Sequence, residues 1–136
     1  MKKPAVIDAN IILRFLTNDD PAKAEACANL LAKAERDELS LWLPDLVLAD
    51  IVWTLEKFYR LPKTEIVALL TPILGCRGIH CSAKEVAFQA LGYYERHNID
   101  WTDSFVAAQV LLGNAEAIYS YDRDFDKIYQ LERIEP

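Results

Sequence analysis

Short apolar runs alternate along this chain with longer stretches of helical spacing. Ala5-Val6-Ile7 is an apolar run that ends at Asp8 and reads as a buried strand. Residues 10–16 read as a short helix. Asp20-Pro21 opens a second helix, with Asp as N-cap and Pro at the first helical position, running to about Asp37. Leu39 to Leu43 reads as a second strand. Pro44-Asp45 starts a strongly apolar helix to about Tyr59, and another helix follows Pro62 to near Leu74. Gly78 to Cys81 reads as a third strand. Ser82-Ala83-Lys84-Glu85 has the form of a capping box, so residues 83–97 are expected to be helical. Thr102 is placed to cap the next helix, which Gly113 terminates. Ala117 to Tyr121 reads as a strand ending at Asp122, and a short helix and a last strand, Glu132 to Ile134, complete the pattern.

Strands separated by helices imply right-handed crossovers, hence a parallel sheet with helices on both faces. In such sheets ligands bind beyond the carboxyl ends of the strands. Asp8 and Asp122 both fall at expected strand carboxyl ends, which makes that end the place to look for chemistry.

The chain has 136 residues, 52% hydrophobic and 26% charged, which suits one folded domain over 1–136 with a core of its own. No apolar stretch reaches the roughly 20 residues of a membrane span, so no membrane role is expected. Met1-Lys2-Lys3-Pro4 leaves few residues before Asp8, too short for a signal peptide, and a cytoplasmic protein is expected. Cys27, Cys76 and Cys81 are odd in number and scattered, which argues against a disulfide framework. A zinc site from Cys76, His80 and Cys81 lacks half its ligands, so buried, inert thiols are expected. The net charge of −6 counts against a large constitutive nucleic-acid surface. It is compatible with a nuclease whose carboxylates converge on divalent metal.

Each candidate carboxylate has a structural reading beside a functional one. Asp8 lies between an apolar strand and an apolar helix, where it is either a helix cap or a ligand. Asp50 sits inside Leu46-Val47-Leu48-Ala49-Asp50-Ile51-Val52-Trp53, and its helical neighbours are Leu46, Val47, Trp53 and Thr54. It is expected to border the apolar face, where desolvation calls for a positive partner, unless it turns to solvent. Asp103, after Thr102, also suits a first helical turn, where acids stabilise the helix dipole. Asp122, Asp124 and Asp126 alternate like a calcium loop. That loop needs Gly and Glu where Lys127 and Arg133 stand, so Asp124 and Asp126 read as solvated loop.

Other chemistries find little support. There are only four glycines, no Gly-rich phosphate loop and no Gly-x-Ser-x-Gly elbow. His80 and His97 have no evident nucleophile partner.

Taken together these segments resemble a PIN domain, specifically the VapC-type toxins of bacterial and archaeal toxin–antitoxin pairs. Val6-Ile7-Asp8-Ala9-Asn10-Ile11-Ile12-Leu13-Arg14 is similar to the first motif, an Asp after a strand with Asn two residues on. Leu46 to Leu55 resembles the second, Trp101-Thr102-Asp103-Ser104-Phe105-Val106-Ala107-Ala108 the third, and Tyr119-Ser120-Tyr121-Asp122-Arg123-Asp124-Phe125 the fourth. The second motif normally carries Glu, and this chain has Asp50, one methylene shorter.

The resemblance implies an α/β fold: a three-layer sandwich with a central, mainly parallel sheet of four or five strands flanked by helices. It implies a metal-dependent endoribonuclease whose catalytic and metal-binding residues are Asp8, Asp50, Asp103 and Asp122. Asn10 and Ser120 would orient these carboxylates. Magnesium or manganese would be the cofactor, since hard ions prefer the oxygens that aspartates supply. RNA would be the substrate, a cognate antitoxin the partner, and a homodimer the assembly. Trp42, Trp53, Phe58 and Tyr59 are candidates for a partner groove, and Arg14 for a phosphate contact. Three rivals remain. One is a PIN nuclease of RNA processing without antitoxin, and another is a weakly active or non-catalytic PIN-fold binding module. The third is a haloacid-dehalogenase-type phosphotransferase, disfavoured because Asn10 stands where that family wants a second Asp.

Overall fold

The computed structural model describes residues 3–136; Met1 and Lys2 of the N-terminal reading lie outside the described residues. The chain falls into two compact units, with the boundary at Ser82 and Ala83.

The N-terminal unit contains β1 (Ala5–Val6), α1 (Ala9–Thr17), α2 (Pro21–Glu35), β2 (Leu41–Trp42), α3 (Asp45–Lys57), α4 (Lys63–Leu74) and β3 (Ile79–His80). The strands form a parallel ladder in the order β1-β2-β3, with Ala5 opposite Leu41 and Leu41 opposite Ile79. Each parallel crossover carries helices, as the alternating pattern requires. The pairing is shorter than the apolar runs, because only two residues of each run meet strand geometry; Ile7 N–H still donates to the Trp42 carbonyl at 3.0 Å. Buried Ile12, Leu41, Leu43, Leu48, Ile51, Leu55, Ile66 and Leu74 make the core. Asp20 caps α2 by accepting from Lys23 N–H at 3.2 Å, with Pro21 at the start, as the sequence predicts.

Gly78 allows the turn before β3 to lie against the end of α2. A Cβ there would sit 2.4 Å from the Ala34 carbonyl oxygen and 2.6 Å from that of Leu39. Both obstacles are backbone and cannot swing aside, so this close approach requires glycine.

The C-terminal unit contains α5 (Lys84–Arg96), α6 (Trp101–Gln109), β4 (Ile118–Tyr119) and β5 (Arg133–Ile134). α5 packs on α6 through buried Ala90, Leu91, Tyr94, Trp101 and Ala108, with Tyr94 and Trp101 edge to face at 5.9 Å. A π-helical turn, Val110–Asn114, extends α6 until Gly113, whose φ of 97° ends it. β4 and β5 pair in parallel, Ile118 with Arg133 and Tyr119 with Ile134. A 3-10 turn, Arg123–Lys127, lies between them.

The fold is thus mixed α/β with six α-helices and five strands among the described residues, every pairing parallel. The strands are bonded as a ladder of three and a ladder of two.

Three local expectations need correction. The Ser82 capping box does not form: α5 starts one residue later than the box requires, Ala83 is the N-cap residue, and no side chain caps it. Thr102 is not the cap of α6 but lies within its first turn; Asp100 is the cap. Cys27 and Cys76 are buried as expected, but Cys81 is half-buried.

Candidate metal-binding acidic site

The start of α6 is fixed from inside. Trp101 is buried, and fully buried Ser104 donates its hydroxyl to the Asp100 carbonyl at 2.8 Å. Asp100 turns its carboxylate back and accepts from Asp103 N–H at 3.0 Å, supplying a partner for an orphan amide of the first turn. With Trp101 and Ser104 facing inward, Asp103 is left half-buried beside Asp100.

The segment after β4 is fixed by a similar device. Asp122 N–H donates to the Ser120 hydroxyl at 2.9 Å, and the Asp122 carboxylate accepts from Asp124 N–H at 2.9 Å, capping the 3-10 turn. Ser120 therefore shapes the backbone at Asp122 rather than bonding its carboxylate. Arg133 on β5 braces the same segment. Its guanidinium donates to both oxygens of Asp126 at 2.9 and 3.1 Å, to Glu135 at 2.8 Å and to the Ser120 carbonyl at 3.1 Å. These partners hold the Arg133 pKa above its ordinary value and the Asp126 carboxyl below its own.

Asp103 shows the consequence of this crowding. Burial first, then the charges of Asp100 and Asp122, a hydrogen bond with Asp100 and the charge of Asp124, push its carboxyl up to about 6. The C-terminal unit therefore brings Asp103 and Asp122 into one electrostatic neighbourhood. Asp100 and Asp124 join them. Asp100 could have been read from sequence, because Asp100 and Asp103 are spaced as a cap and its third helical residue. Asp124 offered no such signal.

In the N-terminal unit, Asp8 is the N-cap of α1 and accepts from Asn10 N–H at 3.1 Å. Its capping role is therefore real, and it occupies one oxygen only. Asn10 is exposed and bonds Asp8 through its backbone. Asp50 does not border the core as expected. The buried face of α3 is Leu48, Ile51, Val52 and Leu55, whereas Asp50 is exposed between Leu46 (85% exposed) and Trp53 (62% exposed). Water solvates it, so no positive partner is demanded. α1 packs on α3, the two helices that carry these acids.

The donors are all carboxylate oxygens, and every charge that shifts Asp103 is that of another carboxylate, Asp124 among them being itself paired with Lys127 at 3.3 Å. That is the chemistry a hard divalent ion relieves. Among the described residues no three His, Cys, Asp or Glu side chains already stand as a ligand cage, so the fit is one of donor type and charge. Also among the described residues, no helix is long and apolar enough to cross a membrane.

No curated protein matches the chain in sequence. The family described as PIN domain matches it over residues 5–131, from β1 to just before β5 and across both compact units. Asp8, Asp50, Asp103 and Asp122 all lie inside that match, and the chain belongs to the PIN domain family, a nuclease fold whose members generally use divalent metal ions.

Proposed function

We propose that this chain is a metal-dependent endoribonuclease of the VapC type, the toxin of a toxin–antitoxin pair. Asp8, Asp50, Asp103 and Asp122 are its catalytic and metal-binding residues, and magnesium or manganese is its cofactor. The observation that carries this reading is Asp103, a half-buried carboxyl pushed up to about 6 among like charges. Carboxyls perturbed in this way concentrate at functional sites, and Asp103 lies inside the PIN domain match.

The chain's own residues prepare the site. Asp100 and Ser104 set the backbone of the first turn of α6, on which Asp103 stands. Ser120 and Arg133 hold the backbone at Asp122. Asp8 and Asp122 each spend one oxygen on a cap and keep the other for a ligand. A divalent ion bound by these carboxylates would supply an activated water and stabilise charge developing on the departing oxygen of an RNA phosphodiester. The antitoxin, homodimer and cytoplasmic setting belong to the same proposal and follow the sequence resemblance.

A second reading, a weakly active or non-catalytic PIN-fold binding module, is favoured by Asp50, which stands exposed where the second motif normally carries the longer Glu. One experiment separates the two. Purified protein is incubated with a mixed RNA pool, with manganese and with chelator, beside Asp8→Asn and Asp103→Asn. The nuclease reading expects cleavage in manganese only and none by the variants. Equal RNA loss in chelator, or undiminished cleavage by Asp8→Asn, overturns it.

A further inference from the structure

We infer that the concavity between α1 and α3 is a subsite for one unpaired nucleotide, with its base on Phe58 and its phosphate on Arg14. This rests on the proposal that the neighbouring acids act on RNA. The concavity has a volume of about 240 Å³ and lies wholly within the N-terminal unit. Its walls include Asn10, Arg14 and Thr17 of α1, and Thr54, Phe58 and Tyr59 on and just beyond α3. Asn10 lies two residues beyond Asp8, and Thr54 one helical turn beyond Asp50.

Three features point to a nucleotide. First, Arg14 is half-buried at the wall of the concavity, and its guanidinium presents a planar fork of donors that suits a phosphate. Second, Phe58 is 72% exposed and offers the face of an aromatic ring at the wall of the concavity. Tyr59 props it at 4.9 Å and 78°, and the Tyr59 hydroxyl in turn donates to Asp19, so the platform is braced. Third, Asn10 and Thr54 add amide and hydroxyl groups to the wall, suited to base edges or ribose. A ring face, a cation and short polar groups in so small a volume match a nucleotide. A base in a duplex is stacked on both sides and cannot reach the ring, so the subsite takes an unpaired base.

The test measures binding apart from cleavage. A labelled 2′-O-methyl single-stranded oligonucleotide is titrated with the full chain in chelator, by fluorescence anisotropy across a salt series. Wild type is compared with Arg14→Gln, Phe58→Ala and Phe58→Trp, and with the same oligonucleotide annealed to its complement. Arg14→Gln is expected to lower the log–log salt slope by about 0.7, one phosphate contact on a single strand. Phe58→Ala is expected to weaken binding about tenfold, and Phe58→Trp to retain it. The duplex is expected to bind more weakly and to be indifferent to Phe58→Ala. Variants that bind like wild type, or no binding by wild type, overturn the subsite. So does an acidic peptide that binds wild type and loses affinity in both variants while the oligonucleotide does not. Manganese-dependent cleavage with KM unchanged in both variants removes the subsite and leaves the nuclease. Absence of cleavage by wild type, with binding still dependent on Arg14 and Phe58, removes the nuclease and leaves the subsite.

Discussion

The Asp100 carboxylate accepts from the amide of Asp103 at 3.0 Å, so the residue that starts helix α6 also holds a second carboxylate close to its own. Structure and chemistry pull in opposite directions at this point. The cap stabilises the helix by about 1 kcal/mol, while the second charge beside it opposes ionisation of Asp103.

The first prediction is a trade between stability and activity at Asp103. Its carboxyl ionises near 6 in the folded chain and near 3.8 when unfolded. Between those values the folded state holds more protons, so its contribution to stability grows as pH falls through 6 and is lost as pH rises through 6. Asp103→Asn is therefore expected to melt higher than wild type at pH 7.5 in chelator, and the gap is expected to shrink towards pH 5. Magnesium is expected to raise the melting temperature of wild type more than that of the variant. Differential scanning fluorimetry across pH, with and without metal, reads all three. A variant that melts lower than wild type at pH 7.5 contradicts the repulsion.

Cleavage should carry the same signature. Metal must displace the proton from Asp103, so at sub-saturating metal the rate is expected to fall about tenfold per pH unit below about 6. Raising the metal concentration is expected to move this limb to lower pH. A limb that stays fixed from micromolar to millimolar manganese would place the titrating group elsewhere.

Asp50 gives a third test. Being exposed on α3, it accepts a longer side chain without crowding. Asp50→Glu is expected to keep the melting temperature and to preserve or raise cleavage, because it restores the reach usual in the second motif. A sharp fall in kcat at unchanged stability would show a site built around the shorter arm.

Arg133 gives a fourth. It touches no proposed ligand but ties the Ser120 carbonyl to Asp126 and Glu135. Arg133→Gln is expected to weaken metal affinity about tenfold, the usual scale for a residue supporting a ligand, with KM for RNA little changed. Isothermal titration with manganese measures the first and steady-state kinetics the second. Unchanged metal affinity would confine Arg133 to packing.

Gly78 tests the fold alone. Gly78→Ala forces a methyl against two backbone carbonyls and is expected to cost about 2–3 kcal/mol. That corresponds to a melting temperature lower by roughly 10 °C. A loss of a degree or less in the thermal melt would show that the end of α2 yields.

The element order was legible because breakers stand where helices begin. Pro21, Pro44 and Pro62 mark the starts of α2, α3 and α4, and apolar runs mark each strand. The side of α3 that faces inward was not. Leu46, Val47, Leu48, Ile51, Val52, Trp53 and Leu55 leave hardly any polar arc, so spacing alone could not set Asp50 inside or outside. Packing resolved it by burying Leu48, Ile51, Val52 and Leu55. At α6 the cap read from the sequence, Thr102, gives way to Asp100, which accepts from Asp103 N–H as Trp101 is buried. Asp124 entered the neighbourhood of Asp103 through tertiary folding, which no local pattern reports.

Asp8, Asp100 and Asp122 each cap a helical turn with a single carboxylate oxygen. Asparagine offers the same oxygen in the same place, and Asp and Asn are comparable as caps. A change of one base converts an Asp codon to an Asn codon. The chain can therefore lose its negative charge at these positions and keep its architecture. On the proposed function, folded but inactive descendants lie a single mutational step away, along a path that spares the scaffold.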